Sequence, residues 1–258
     1  LHARKDRSQP VFAYTQPQNL HVAQISRQGS ESVGERGYAG FHAPYASRLE
    51  RIDRCFGEFV ATLKKDGLWD DSIVILTADH GESLGEEGRW GHAYTMYPEI
   101  VRIPLIVHLP PALQAKLDYD PKAVSFLTDI TPSLYYLLGH RPLRQDPIFG
   151  RPLFVAKDDH VTPRTPARDE QVLASSYGPV YAVLSDEGRS LWVSDGVNYK
   201  DMQFDLAPDG TATQRSVTAA AKRESEQRIR DQVGEVNRFY RFGGGDDAAA
   251  KAAAAPAS

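Results

Sequence analysis

The sequence predicts an α/β chain: a helix and two short buried strands, then a meander of hairpins and a terminal helix. Three observations carry this. An amphipathic stretch from Tyr45 to Leu68 precedes two short apolar runs, Ile73 to Leu76 and Ile103 to Val107, that read as buried strands. Four short strand-like runs follow between residues 172 and 206, separated by turn dipeptides. The stretch from Thr213 to Phe239 then has helical spacing, with Val217, Ile229, Val233 and Val236 on its apolar side.

Taken in order, Val11-Phe-Ala-Tyr-Thr15 is predicted as a strand between Pro10 and Pro17, with His21 in the loop after it. Residues 24–38 are polar and glycine-bearing and read as a loop. In the 45–68 helix, Leu49, Ile52, Phe56, Phe59, Val60 and Leu63 recur at three and four, and Gly67 stops it. Asp53, between Arg51 and Arg54, reads as part of a structural ion pair. The strand at 73–78 ends on Asp79-His80-Gly81, and a glycine-bearing loop leads to Trp90-Gly91-His92. Glu82 is expected near a helix start and, with Glu86 and Glu87, in a supporting role. Trp90 is read mainly as a packing residue. Residues 97–102 form a turn or short helix before the strand at 103–108. Asp129 or Thr131 caps a helix with Pro132 in its first turn, closed by Gly139.

Composition narrows the function classes. With 258 residues the chain can bury a sizeable core, and 41% hydrophobic with 25% charged residues is ordinary globular usage. The net charge of −4 has no basic block, so no nucleic-acid partner is expected. The lone Cys55 makes no intrachain disulfide and fits no paired zinc-ligand spacing. No apolar run reaches the roughly 20 residues of a membrane helix. The chain begins Leu1-His-Ala-Arg-Lys-Asp, without an initiator methionine or an apolar leader, and is expected to be a fragment or a processed chain.

Thr77-Ala-Asp-His-Gly-Glu82, Gly91-His92 and Arg102-Ile-Pro-Leu-Ile106 together resemble the conserved block of the sulfatase branch of the alkaline-phosphatase-like metallohydrolases. The helix Tyr45, Leu49, Ile52-Asp53, Gly57, Leu63, the stretch Val124 to Gly139, Phe149-Gly-Arg-Pro-Leu153 and Phe204-Asp-Leu-Ala-Pro-Asp209 fit the same resemblance. It implies an alkaline-phosphatase-like central sheet flanked by helices, of which this chain carries the second half only, plus a small C-terminal antiparallel sheet with a terminal helix. The implied organisation is residues 1–154 as the C-terminal half of the catalytic domain and residues 155–240 as a small β-meander plus helix; composition adds a Pro- and charge-rich linker at 155–170 and a disordered tail at 241–258.

The residues themselves suit such chemistry. Asp79 offers a hard carboxylate oxygen and His80 an imidazole nitrogen, both ordinary ligands of divalent metals, with Gly81 permitting the backbone to bend. His92 suits a general acid or a holder of an ester oxygen. The resemblance implies one divalent metal ion on Asp79 and His80, Ca2+ first and Mn2+ or Zn2+ as alternatives. It implies His92 and His21 as catalytic contacts to the transferred group. The substrate is then a small-molecule or glycan sulfate ester, or a phosphate ester, and the setting extracytoplasmic. The family's C/S-x-P-x-R nucleophile motif and its first acidic metal ligands have no counterpart here, since Cys55 lies inside a predicted helix. Alternatives are a phospho- or phosphonate-ester hydrolase, a phosphoethanolamine- or glycerophosphate-type transferase of the same fold, and an inactive half-domain that only binds.

Overall fold

A computed structural model describes residues 10–17, 20, 45–92, 95–140, 150–162 and 170–242. Two compact units, Leu1–Asp71 and Ser72–Ser258, divide the chain.

The first unit contains helix α1, Tyr45–Lys65. Its predicted stop is built as expected. Gly67 takes φ +67°, the Gly67 N–H donates to Lys64 O, and the Leu68 N–H donates to Leu63 O. This paired closure satisfies the last carbonyls of the helix. Asp53 is exposed and makes no ion pair among the described residues, contrary to expectation. The strand expected at Val11–Thr15 is also not formed. Residues 11–17 have no regular structure, and Phe12 and Tyr14 are each 78% exposed. Strand propensity without a neighbour to share hydrogen bonds does not make a strand.

The second unit is mixed α/β. Strand β1 (Val74–Thr77) leads into the short hairpin β2 (Ser83–Leu84) and β3 (Trp90–Gly91), then helix α2 (Pro98–Val101) and strand β4 (Leu105–His108). β1 and β4 pair antiparallel, Val74 opposite His108 and Thr77 opposite Leu105. Helix α3 (Pro111–Gln114), strand β5 (Leu117–Asp118), helix α4 (Ile130–Leu137) and strand β6 (Val155–Ala156) follow. β5 pairs with β6, so the stretch expected as a linker opens with a strand. Around it a small core gathers Leu109, Leu117 and Phe154. Asp129 is 2% exposed. It accepts from the Phe126 and Arg151 N–H groups at 2.9 and 2.8 Å, so it is structural, but its side chain makes no cap of α4, contrary to expectation.

The C-terminal region is a meander, β7 (Glu170–Ala174), β8 (Val180–Ser185), β9 (Ser190–Asp195), β10 (Lys200–Leu206) and β11 (Ala212–Arg215), in the spatial order β11-β10-β9-β8-β7. β11 was expected as the start of the terminal helix. The Asp209-Gly210 turn decides otherwise: Gly210 sits at φ +98°, and Thr211 donates to Asp209 at 2.9 Å from its N–H. The chain reverses and pairs with β10. Helix α5 therefore begins at Ala219, capped by Thr218, whose hydroxyl accepts from the Ala221 N–H at 3.1 Å. It ends at Phe242, so residues 243–258 of the expected tail lie outside the described residues.

Both faces of this sheet are covered. Val180, Ala182, Leu191, Val193, Met202 and Phe204 form one face, each at most 1% exposed, packed with Met96, Tyr97 and Val101. Ion pairs Lys222–Asp201 and Arg228–Glu170 tie α5 to the sheet. The main core thus lies under the segment that follows His92 and carries α2.

Candidate active site

The site is assembled at the end of β1. Gly81 occupies a position with no room for a side chain: a Cβ there would stand 2.0 Å from the Glu99 carbonyl oxygen. Its N–H donates to Ile100 O at 2.7 Å. The requirement for glycine is close approach to α2 rather than the positive φ that a bend alone would suggest.

β2 and β3 then reverse the chain through Gly85, Glu87 and Gly88, all at positive φ. Their register pairs Ser83 with Gly91, so Glu82 and His92 come next to each other across the hairpin. His92 Nδ1 lies 2.9 Å from Glu82 Oε2. A carboxylate accepts, so Nδ1 carries the proton in this contact. The side chains of His92 and Glu82 are 11% and 8% exposed. Glu82 therefore orients His92 and stands at no helix start, because the residues after it form a strand. Its Oε1 is buried without a hydrogen-bond partner among the described residues.

His80, twelve positions earlier, stacks on His92 with ring centroids 4.1 Å apart and planes at 28°. His80 Nδ1 is 2.8 Å from Gly81 O. A carbonyl only accepts, so Nδ1–H donates and Nε2 is the nitrogen left with a lone pair in the neutral ring. That Nε2 is 3.8 Å from Asp79 Oδ2. Asp79 Oδ1 also accepts from the His80 N–H at 3.1 Å. Asp79 and His80 are 63% and 35% exposed, so this is the solvent-facing side of the cluster.

Glu99 of α2 locks the hairpin. It accepts from Ser83 Oγ at 2.7 Å and Arg89 Nε at 2.8 Å, and Arg89 also bonds Glu87 at 2.6 Å and lies over the Tyr97 ring at 4.3 Å. Burial alone would push the Glu99 carboxyl up. The Arg89 and Ser83 hydrogen bonds outweigh it and hold the group below the ordinary carboxylate range.

The donor set fits a divalent cation as far as it goes. One hard oxygen and one imidazole nitrogen 3.8 Å apart can reach a common ion with bonds of roughly 2.0–2.6 Å. No cluster of three or more His, Cys, Asp or Glu side chains stands ready for a metal among the described residues. His21 lies outside the described residues, as does the side chain of Trp90. Cys55 is exposed on α1. A cavity of about 340 Å3 lined by Leu113, Leu117, Tyr136 and Leu137 touches none of Asp79, His80 or His92. The Glu82–His92 contact was not anticipated from the residues. Its signal is the equal distance of the two from the glycine-flanked turn at Glu87.

A family model described as Sulfatase matches residues 1–140, more than half of the chain. Among curated proteins, Arylsulfatase K of Gallus gallus is 29% identical over 173 residues, covering 64% of this chain and 31% of its own length. The multifunctional alkaline phosphatase superfamily protein PehA of Trinickia caryophylli is 31% identical over 210 residues, covering 74% and 39%. Choline-sulfatase of Rhizobium meliloti (strain 1021) is 27% identical over 165 residues, covering 64% and 31%. The chain thus spans between 31% and 39% of the length of these three relatives. A solved structure of BT4656 in complex with its substrate D-glucosamine-2-N,6-O-disulfate shares the fold, at TM-score 0.51 and 20% identity over 74% of this chain and 40% of that one.

Proposed function

This chain belongs to the sulfatase family, and from that premise we infer that it is the C-terminal part of a metal-dependent hydrolase of sulfate esters. The observation that carries the reading is the convergence of Asp79 Oδ2, His80 Nε2 and the His92 ring within one cluster. Asp79 and His80 hold a divalent cation, Ca2+ by family likeness and otherwise Mn2+ or Zn2+. Bound there, the ion supplies the positive charge that a sulfate ester needs to accept a nucleophile. The chain's own residues do the rest. Gly81 O fixes the His80 tautomer, and Glu82 fixes that of His92. With Nδ1–H given to Glu82, His92 carries a second proton on Nε2 only as the imidazolium, and in that form it either holds an ester oxygen or protonates the leaving group. His21 is a second contact to the transferred group. The nucleophile belongs to sequence that this chain does not contain.

The substrate class is a small-molecule or glycan sulfate ester, in keeping with the sulfatase names among the relatives, and the setting is extracytoplasmic. Among the described residues no helix is long and apolar enough to cross a membrane. A second reading, a phospho- or phosphonate-ester hydrolase or phosphoryl transferase, is supported by the 31% identity to the multifunctional alkaline phosphatase superfamily protein PehA.

The test is metal binding by calorimetry on the chain and on Asp79→Ala. Ca2+ or Mn2+ should bind the parent and bind the variant at least tenfold more weakly. Equal binding, or none by either, would reject the metal assignment and favour an inactive binding module.

A further inference from the structure

A cavity of about 160 Å3 lies between the outer face of the C-terminal sheet and α5. Its lining includes Trp192, Gln203, Ser225, Glu170, Glu224 and Arg228. Trp192 and Gln203 face each other directly across β9 and β10. Trp192 is 2% exposed. Its indole Nε1–H and the Gln203 Oε1 are both buried and both without a hydrogen-bond partner among the described residues. A buried donor and a buried acceptor left bare in one seam are each costly, and a molecule that pairs both relieves that cost. The space is more than ten times the roughly 10–15 Å3 that a single water requires.

We propose that this seam is a binding site for a small, neutral, hydroxyl-bearing molecule of the polyol class. The chemistry follows from the two bare groups. A hydroxyl oxygen accepts from the Trp192 N–H while its own hydrogen is given to Gln203 Oε1, so one group satisfies both. Charge on the lining argues for neutrality. Arg228 is already paired with Glu170, and Glu224 adds a further negative charge, so an anion such as sulfate meets no unpaired cation there. Ser225, 7% exposed on α5, offers the opposite wall another hydroxyl. This site is separate from the Asp79–His80–His92 cluster and stands whether or not that cluster binds metal.

The full chain has three tryptophans, Trp69, Trp90 and Trp192, and so three indole N–H signals in a 15N-correlated NMR spectrum, with Trp192→Phe identifying the third. Titration with glycerol should shift the Trp192 signal to saturation and leave Trp69 and Trp90 in place. Sodium sulfate at the same ionic strength should not reproduce the shift. Gln203→Met should weaken the glycerol response about tenfold, the equivalent of one hydrogen bond. Ser225→Leu, which fills the cavity from the helix side, should abolish it. A Trp192 signal that ignores glycerol, or that shows contact with water alone, would overturn the proposal. So would a linear drift of all three indoles, or an unchanged response in both variants.

Discussion

Asp159 is 7% exposed and accepts from the Tyr136 hydroxyl at 2.6 Å and from the Val161 and Thr162 N–H groups at 2.9 and 3.0 Å. The Tyr136 hydrogen bond, followed by those from Thr162 and Val161, holds its carboxyl far below the ordinary range. The sign of the pH effect follows. The folded state binds the proton less readily than the unfolded one, so this contribution is complete above the unfolded carboxyl pKa of roughly 3.9. It is lost as pH falls from there toward the lower folded value. Asp159→Asn should therefore lower stability at neutral pH and flatten the decline below about pH 4, read as urea midpoints across a pH series. Gly81 sets a second residue-scale test. Gly81→Ala forces its new Cβ against the Glu99 carbonyl, and should cost about 1–3 kcal/mol or more. Because the same backbone carries His80, metal affinity should fall with it, which calorimetry on the folded variant would measure.

At the scale of elements, the meander acts on the site through α2. Phe204, 1% exposed, meets Tyr97 edge to face with centroids 6.4 Å apart. Tyr97 leads into α2, whose Ile100 carbonyl receives the Gly81 N–H and whose Glu99 fastens the hairpin. Arg102, just past α2, donates to Ala207 O at 3.2 Å, beyond the end of β10. Phe204→Ala should cost about 3–5 kcal/mol and also weaken metal binding, although the residue is on β10 rather than in the cluster. Tyr199→Ala, at a side chain 94% exposed, should leave both unchanged. Denaturant midpoints and metal titrations on the two variants separate a supporting role of the sheet from a merely adjacent one.

On the scale of the whole molecule, the relatives are about three times as long as the matched region. Asp79 and His80 are two donors, and no third joins them in a cluster among the described residues. A divalent ion of this type takes four to eight ligands, so the chain alone is expected to bind metal weakly. It should turn over neither 4-nitrophenyl sulfate nor 4-nitrophenyl phosphate, as no nucleophile motif is present. Metal-dependent release of 4-nitrophenol by the purified chain would contradict this.

What the sequence by itself determined was local. The periodicity of α1, the glycine stops at Gly67 and Gly139, the β-branched run of β1 and the turn dipeptides of the meander are short-range signals, and each formed close to where the residues placed it. The cluster Thr77 to His92 was legible as a family block for the same reason, because its residue types are contiguous. Only the tertiary structure decided the rest. Whether Val11–Thr15 becomes a strand depends on a hydrogen-bonding neighbour, and the run from Thr213 became β11 because the Gly210 turn returned it to β10. That His92 lies on His80 and takes its orientation from Glu82 depends on the register of a two-residue hairpin, and the need for glycine at 81 on the Glu99 carbonyl eighteen positions on. Contacts between distant segments carry no period along the chain, so they are settled when the chain packs.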